Sequence, residues 1–221
     1  MKTHSLHMIT TGRQPLEQVR DILARCPAGL ADAFHVREKQ RGARELIAWH
    51  DALRPLMPNT PLLVNDRLDA ALAAGADGVQ LGGASLTAAE ARAIAGSRLA
   101  IGRSVHSAGE AAQAAADGAD FVVFGPVYAT GSKPGLTPRG IDALRAAVEA
   151  SPVPVIAIGG ITPERIDEVL STGCAGVAVL SGILEHEDPA GQLVRYRKAL
   201  DSSRHLPKAA LRIGSSSASR G

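Results

Sequence analysis

Short apolar runs alternate with longer amphipathic stretches along the whole chain. The runs at 6–10, 33–36, 61–64, 78–81, 99–104, 121–124, 155–158 and 176–180 are dominated by Val, Ile, Leu, Ala and Phe on both faces. That pattern suits strands of a parallel sheet covered by helices, not a half-exposed antiparallel sheet. Helical periodicity follows at 15–25, around Leu46, Ile47, Trp49 and Leu53 up to Pro55, at 87–95, 107–116, 141–150 and 189–200. Asn65-Asp66 reads as the opening of a helix through Ala74, and Thr162-Pro163-Glu164 as a cap, a first-turn proline and an early acid.

The alternation is reinforced by a repeat. Gly29-Leu-Ala-Asp-Ala, Gly75-Ala-Asp-Gly-Val, Gly118-Ala-Asp-Phe-Val and Gly173-Cys-Ala-Gly-Val each stop a helix with glycine and restart a buried strand, 46, 43 and 55 residues apart. Eight strand–helix units without a long interruption predict a single (β/α)8 TIM barrel of all-parallel strands over residues 1–201.

Composition narrows the classes. The 221 residues are 45% apolar, enough for one large core, and only 3% aromatic. Scarce stacking surfaces and a net charge of +2 argue against nucleic acid as a partner. Arg204, Lys208, Arg212 and Arg220 stand without acids after residue 201, so 202–221 reads as a basic, Ser-rich, disordered tail. Cys26 and Cys174 lack metal spacing, and no run reaches membrane-spanning length. The expectation is a soluble, reduced, cytoplasmic protein; Ala-rich helices leave a homo-oligomer open.

In a barrel of this kind the chemistry sits at the carboxyl ends of the strands. Gly159-Gly160 after strand seven and Ser181-Gly182 after strand eight can aim backbone N–H groups at one phosphate; the same glycines also suit tight turns. Arg37 and Lys39 alternate after strand two and offer a fork and a point charge to an anion, or form a surface pair with Glu38. Thr130, Ser132 and Lys133 in the loop after strand six form an anion clamp or a solvated turn. Asp66 is a metal ligand or a helix start. His106 after strand five and His35 in strand two are the candidates for proton transfer.

These runs are similar to the thiamine phosphate synthase/TenI family. The resemblance is carried by His35-Val-Arg-Glu-Lys39, Leu63-Val-Asn-Asp66, Ile101-Gly-Arg-Ser-Val-His-Ser107, Phe124-Gly-Pro-Val-Tyr-Ala-Thr-Gly-Ser-Lys133, Pro154-Val-Ile-Ala-Ile-Gly-Gly-Ile161 and Gly176-Val-Ala-Val-Leu-Ser-Gly182, from about residue 6 to 200. It implies a (β/α)8 barrel acting on a small-molecule thiazole phosphate held by Gly159, Gly160, Ser181 and Gly182. In the synthase branch it implies joining a pyrimidine diphosphate to that thiazole phosphate with loss of pyrophosphate. Arg37, Lys39, Asn65 and Lys133 would then hold the diphosphate, and Asp66 would bind Mg2+. In the TenI branch it implies an aromatising proton shift on a thiazole phosphate carboxylate, with no metal cofactor.

Three departures weigh on the branch. Ser85 stands where the synthase pattern has a second metal-binding Asp, and His35 where it has Gln. Against these, Pro126 occupies the place of the tautomerase catalytic His. Together with the TenI-like run at 101–107, they set the expectation of a TenI-like thiazole tautomerase using His106 or His35. The alternatives are thiamine phosphate synthase and a non-catalytic thiazole phosphate or thiamine phosphate binder.

Overall fold

The computed structural model describes residues 3–131, 135 and 137–214. Eight strands close into one all-parallel barrel in sequence order: β1 (Ser5–Ile9), β2 (Ala33–Val36), β3 (Leu62–Asn65), β4 (Gly78–Leu81), β5 (Ala100–Val105), β6 (Phe121–Phe124), β7 (Val155–Ile158) and β8 (Gly176–Val179). The seam is the β1–β8 ladder, where Ser5 faces Gly176 and Met8 faces Val179. Around it lie α1 (Leu16–Arg25), α2 (Ala43–Leu53), α3 (Leu68–Ala74), α4 (Ala88–Ala95), α5 (Ala108–Ala116), α6 (Gly140–Ala150), α7 (Ile166–Leu170), α8 (Ser181–Leu184) and α9 (Pro189–Ser202). The (β/α)8 expectation is correct.

The apolar residues divide into two layers, as strands buried on both faces require. One cluster joins the outward strand residues, such as Leu6, Met8, Phe34, Leu62 and Val79, to the helices. The other fills the barrel interior with Ile9, Ala33, Leu63, Phe121, Val123, Ile156 and Ala178. Phe121 takes the room that glycine leaves: a Cβ on Gly102 would stand 2.4 Å from its ring. The repeat glycines Gly29, Gly75, Gly118 and Gly173 all have positive φ, between 63° and 88°. Gly75 caps α3, and Gly118 and Gly173 follow α5 and α7 within two residues of their caps, whereas α1 already ends at Cys26 and Gly29 lies in the turn beyond it.

Three local expectations change. Asn65-Asp66 does not open a helix: Asn65 ends β3, Asp66 turns the chain with φ 65°, and α3 starts at Leu68. Thr162 makes no side-chain cap; Pro163–Arg165 is a single 3₁₀ turn leading into α7. The Ser-Gly end after β8 is the start of a separate short helix, α8.

The segment after α9 runs back beneath the amino-terminal end of the barrel. Lys208 N donates to Gly173 O at 2.9 Å, and its ammonium donates to the carbonyls of Val148, Glu149 and Ser151 at 3.0, 2.7 and 3.1 Å. Leu211 and Ile213 pack on the interior cluster. The tail expected from 202 onward therefore contacts the barrel as far as 214, and its last residues lie outside those described. No helix among the described residues is long and apolar enough to cross a membrane.

Candidate active site

Parallel strands bring their carboxyl ends to one rim, and a cavity of about 420 Å³ opens there. Its floor is apolar, with Ile9, Val123, Ile158 and Ala178 from the barrel interior. β3 and β7 are four places apart in the eight-stranded ring, so the polar groups at their ends form two facing walls, with Gln80, Ser104, His106 and Thr130 lining the rim between them.

On the first wall are Gly159 and Gly160 after β7 and Ser181 and Gly182 at the start of α8, all lining the cavity. The first N–H groups of a helix have no intrahelical acceptor, so those of Ser181 and Gly182 are free of α8's own ladder. Gly159 and Gly160 take φ of 102° and 64°. A Cβ on Gly160 would stand 2.3 Å from Ala129 O, so the glycine lets the strand-six loop close over the strand-seven turn. Tyr128 N donates to Gly159 O at 2.9 Å, and Arg165 donates to Gly160 O at 2.8 Å while its guanidinium lies 4.3 Å from the Tyr128 ring centre. Tyr128 in turn donates its hydroxyl to Glu168 at 2.6 Å. Burial, aided by Glu168, pushes the Tyr128 phenol up to about 12, so it remains a donor at neutral pH.

The second wall carries Arg37 and Asn65. The Arg37 backbone N–H donates to the Thr10 hydroxyl at 2.8 Å, which fixes the strand-two exit. Burial lowers the Arg37 pKa while the nearby Asp66 opposes the shift. Lys39 does not join it. The chain turns after Glu38, with Arg41 N bonded to Glu38 O at 3.0 Å, and leaves Lys39 exposed in the turn. Alternation along an extended strand is lost once the chain bends, so the expected Arg37/Lys39 pair is a single arginine at the cavity.

Asp66 sits behind Asn65. One carboxylate oxygen accepts from Gly82 N at 2.8 Å and from the Ser85 hydroxyl. Arg103 holds the same loop through the carbonyls of Gly82 and Leu86, at 2.6 and 3.0 Å. Among the described residues no group of three His, Cys, Asp or Glu could hold a metal ion. Magnesium binds through one or two carboxylates plus substrate phosphates and keeps several waters. Asp66 is a lone carboxylate with one oxygen taken by Gly82 and Ser85, so it could hold magnesium only together with a phosphorylated substrate.

Thr130 lines the cavity; Ser132 and Lys133 lie outside the described residues. His106 also lines it, its Nδ1 against Gly125 O and its backbone N–H on Glu110 at 2.8 Å. His35 does not belong with it. The ring is fully buried in the barrel interior, bonded to His7. Burial, then His7, holds its pKa well below the usual imidazole value, so it is a poor proton carrier for the mouth.

Gln80 from β4 donates to the Ser104 hydroxyl at 3.1 Å. Sequence reading left out three groups that shape the site. His7 projects inward from β1. Arg165 and Tyr196 come from helices, where nothing in the local pattern separates a site residue from a solvated or core one. For His7 a signal existed: it lies two places before Ile9 and shares the inward face of a strand.

The family model described as thiamine monophosphate synthase matches residues 6–183. The thiamine-phosphate synthase of Chlorobium phaeovibrioides is 44% identical over 164 residues, covering 73% of this chain and 78% of its own. That of Moorella thermoacetica is 40% identical over 196 residues, covering 87% and 91%. Among solved structures, a thiamine phosphate pyrophosphorylase from Pyrococcus furiosus superposes with a TM-score of 0.79 at 36% identity, covering 90% of this chain and 96% of its own. These similarities overturn the expectation of a thiazole tautomerase, an isomerase: the relatives carry the synthase name despite Ser85 and His35 in this chain. From the ordered barrel, its cavity and these matches, the chain belongs to the thiamine monophosphate synthase family.

Proposed function

We propose that this protein is a thiamine phosphate synthase, a transferase joining a hydroxymethylpyrimidine diphosphate to a thiazole phosphate with release of pyrophosphate. The observation that carries this reading is the pair of anion-suited groups that face each other across one apolar-floored cavity. Gly159, Gly160, Ser181 and Gly182 offer backbone donors to a monophosphate on one side. Arg37 and Asn65 offer a guanidinium and an amide to a diphosphate on the other.

A departing diphosphate takes its bonding electrons with it, so charge grows on its oxygens in the transition state. Donors fixed before the reaction stabilise that charge more than they stabilise the bound substrate. Arg37 is fixed by the backbone bond to Thr10 and Asn65 by the end of β3. Thr130 and Lys133, in the loop after β6, are the further donors this reading assigns to the same anion. Asp66 would hold magnesium there, where the ion supplies neutralisation of the diphosphate charge. The apolar floor would exclude water from the reacting centre. We place the reaction in the cytoplasm, with small molecules as the substrates.

Incubation with pyrimidine diphosphate, thiazole phosphate and magnesium, followed by chromatography, tests the reading. Formation of thiamine phosphate with stoichiometric pyrophosphate is the expected result. Absence of product from folded protein that binds thiazole phosphate would overturn it.

A further inference from the structure

Beneath Asn65 lies a short line of polar groups inside the barrel. His7 Nδ1 is 2.9 Å from His35 Nε2, and the two ring centres are 5.1 Å apart. Both rings are fully buried, with Phe121 edge-on to His7 at 5.8 Å. His35 and Asn65 point into the barrel from the paired strands β2 and β3, and Asn65 opposes the burial that lowers the His35 pKa. His35 Nδ1 and Asn65 Oδ1 are both sealed from solvent, and neither has a hydrogen-bond partner at full bonding geometry. Asn65 itself reaches the cavity.

With Asn65 Oδ1 turned toward His35, one arrangement serves all these atoms. A neutral imidazole has one N–H and one bare nitrogen. If His35 carries its proton on Nδ1, it donates to Asn65 Oδ1, and its bare Nε2 accepts from His7 Nδ1–H. The reverse tautomer sets a bare His35 nitrogen against the amide oxygen and leaves two buried acceptors facing each other, which is costly. Both rings lie deep enough to stay neutral, the His7 pKa being lowered to about 3 by burial.

We propose that His7 and His35 are positioning residues for Asn65: the chain His7 Nδ1–H to His35 Nε2 and His35 Nδ1–H to Asn65 Oδ1 turns the asparagine NH2 group toward the diphosphate side of the cavity. The role given to the NH2 group rests on the synthase reading above; the proton arrangement does not. An unheld asparagine can flip and present its carbonyl to an anion, which repels. The pair thereby converts two apolar-looking interior positions into a determinant of anion affinity at the rim.

The test has two arms. Nitrogen-15 NMR of histidine-labelled wild-type protein at pH 7.5 should show both buried rings neutral and protonated on Nδ1; a His35 ring protonated on Nε2 overturns the proposal. Calorimetry with inorganic pyrophosphate and magnesium should show His35→Leu weakened about ten- to a hundredfold, the span of one hydrogen bond to a charged group. Thiazole phosphate affinity should hold. His35→Asn keeps a donor at the Nδ1 position and should recover most of the loss. Equal pyrophosphate binding by parent and His35→Leu, or no recovery in a folded His35→Asn, also overturns it. A parent that binds no pyrophosphate sinks the diphosphate reading and the role of Asn65 with it, while the tautomer measurement still judges the proton chain separately.

Discussion

The hydroxyl of Tyr196 on α9 donates to the carbonyl oxygen of Ile161 at 2.8 Å, joining the last helix to the turn after β7. The same hydroxyl lies 2.7 Å from where a Cβ on Gly182 would stand, so α8, α9 and the strand-seven turn meet at one phenol. Burial raises that phenol to about 12, which keeps it a donor throughout the physiological range. Loss of the bond should therefore loosen both halves of the phosphate wall together.

Tyr196→Phe is expected to cost about 1 kcal/mol and to lower the melting temperature by about 2–4 °C in a domain of this size. Thiazole phosphate should bind several-fold more weakly, while pyrophosphate binding stays unchanged. Thermal melts and calorimetry check both. A lower melting temperature with intact thiazole phosphate affinity would show that the bond serves the fold alone.

Ser85→Asp should supply the carboxylate that the Asp66 site lacks. Two carboxylates side by side repel without a cation, so the variant should melt lower in chelator and recover with magnesium. Manganese titration by electron paramagnetic resonance, with pyrophosphate present, should show about tenfold tighter binding, near 1.4 kcal/mol. Asp66→Asn should abolish the gain. Unchanged manganese affinity in a folded Ser85→Asp protein would remove Asp66 from the metal site.

The buried histidines make stability depend on pH with a definite sign. His7 has a folded pKa of about 3, far below the value of about 6.5 for an unfolded chain. The unfolded state then binds more protons below 6.5, so the stability is fully present above that pH and is lost as pH falls toward the folded value. Between pH 7 and 5, His7 should account for a loss of about 2 kcal/mol, with His35 adding in the same direction. Urea unfolding of wild type and His7→Phe across this range measures it; parallel curves for the two proteins would refute it.

Removal of residues after 202 takes away the Lys208 ammonium from the carboxyl end of α6 and uncovers the interior residues that Leu211 and Ile213 cover. A cost of about 1–2 kcal/mol follows from lost hydrogen bonds and apolar burial. Denaturant titration of the truncated chain checks this, and a midpoint within error of the full chain would mean the segment contributes nothing to the fold.

The sequence by itself determined the barrel, because eight doubly apolar strands and four positive-φ glycines after helices are local requirements that each segment meets alone. It also placed Arg37, Asn65, Thr130, His106 and the two glycine turns on one rim, since parallel strands have a common exit. Tertiary structure alone decided what those residues face. The bend after Glu38 withdrew Lys39, the φ of 65° at Asp66 turned its carboxylate onto Ser85 and Gly82, and the β1–β2 pairing set His7 against His35. The side-chain contacts join positions 16 to 35 residues apart in the chain, as from Asp66 to Gly82 or Ile161 to Tyr196. No local period encodes them; they arise only when ring closure and side-chain packing bring separate strands and helices into contact.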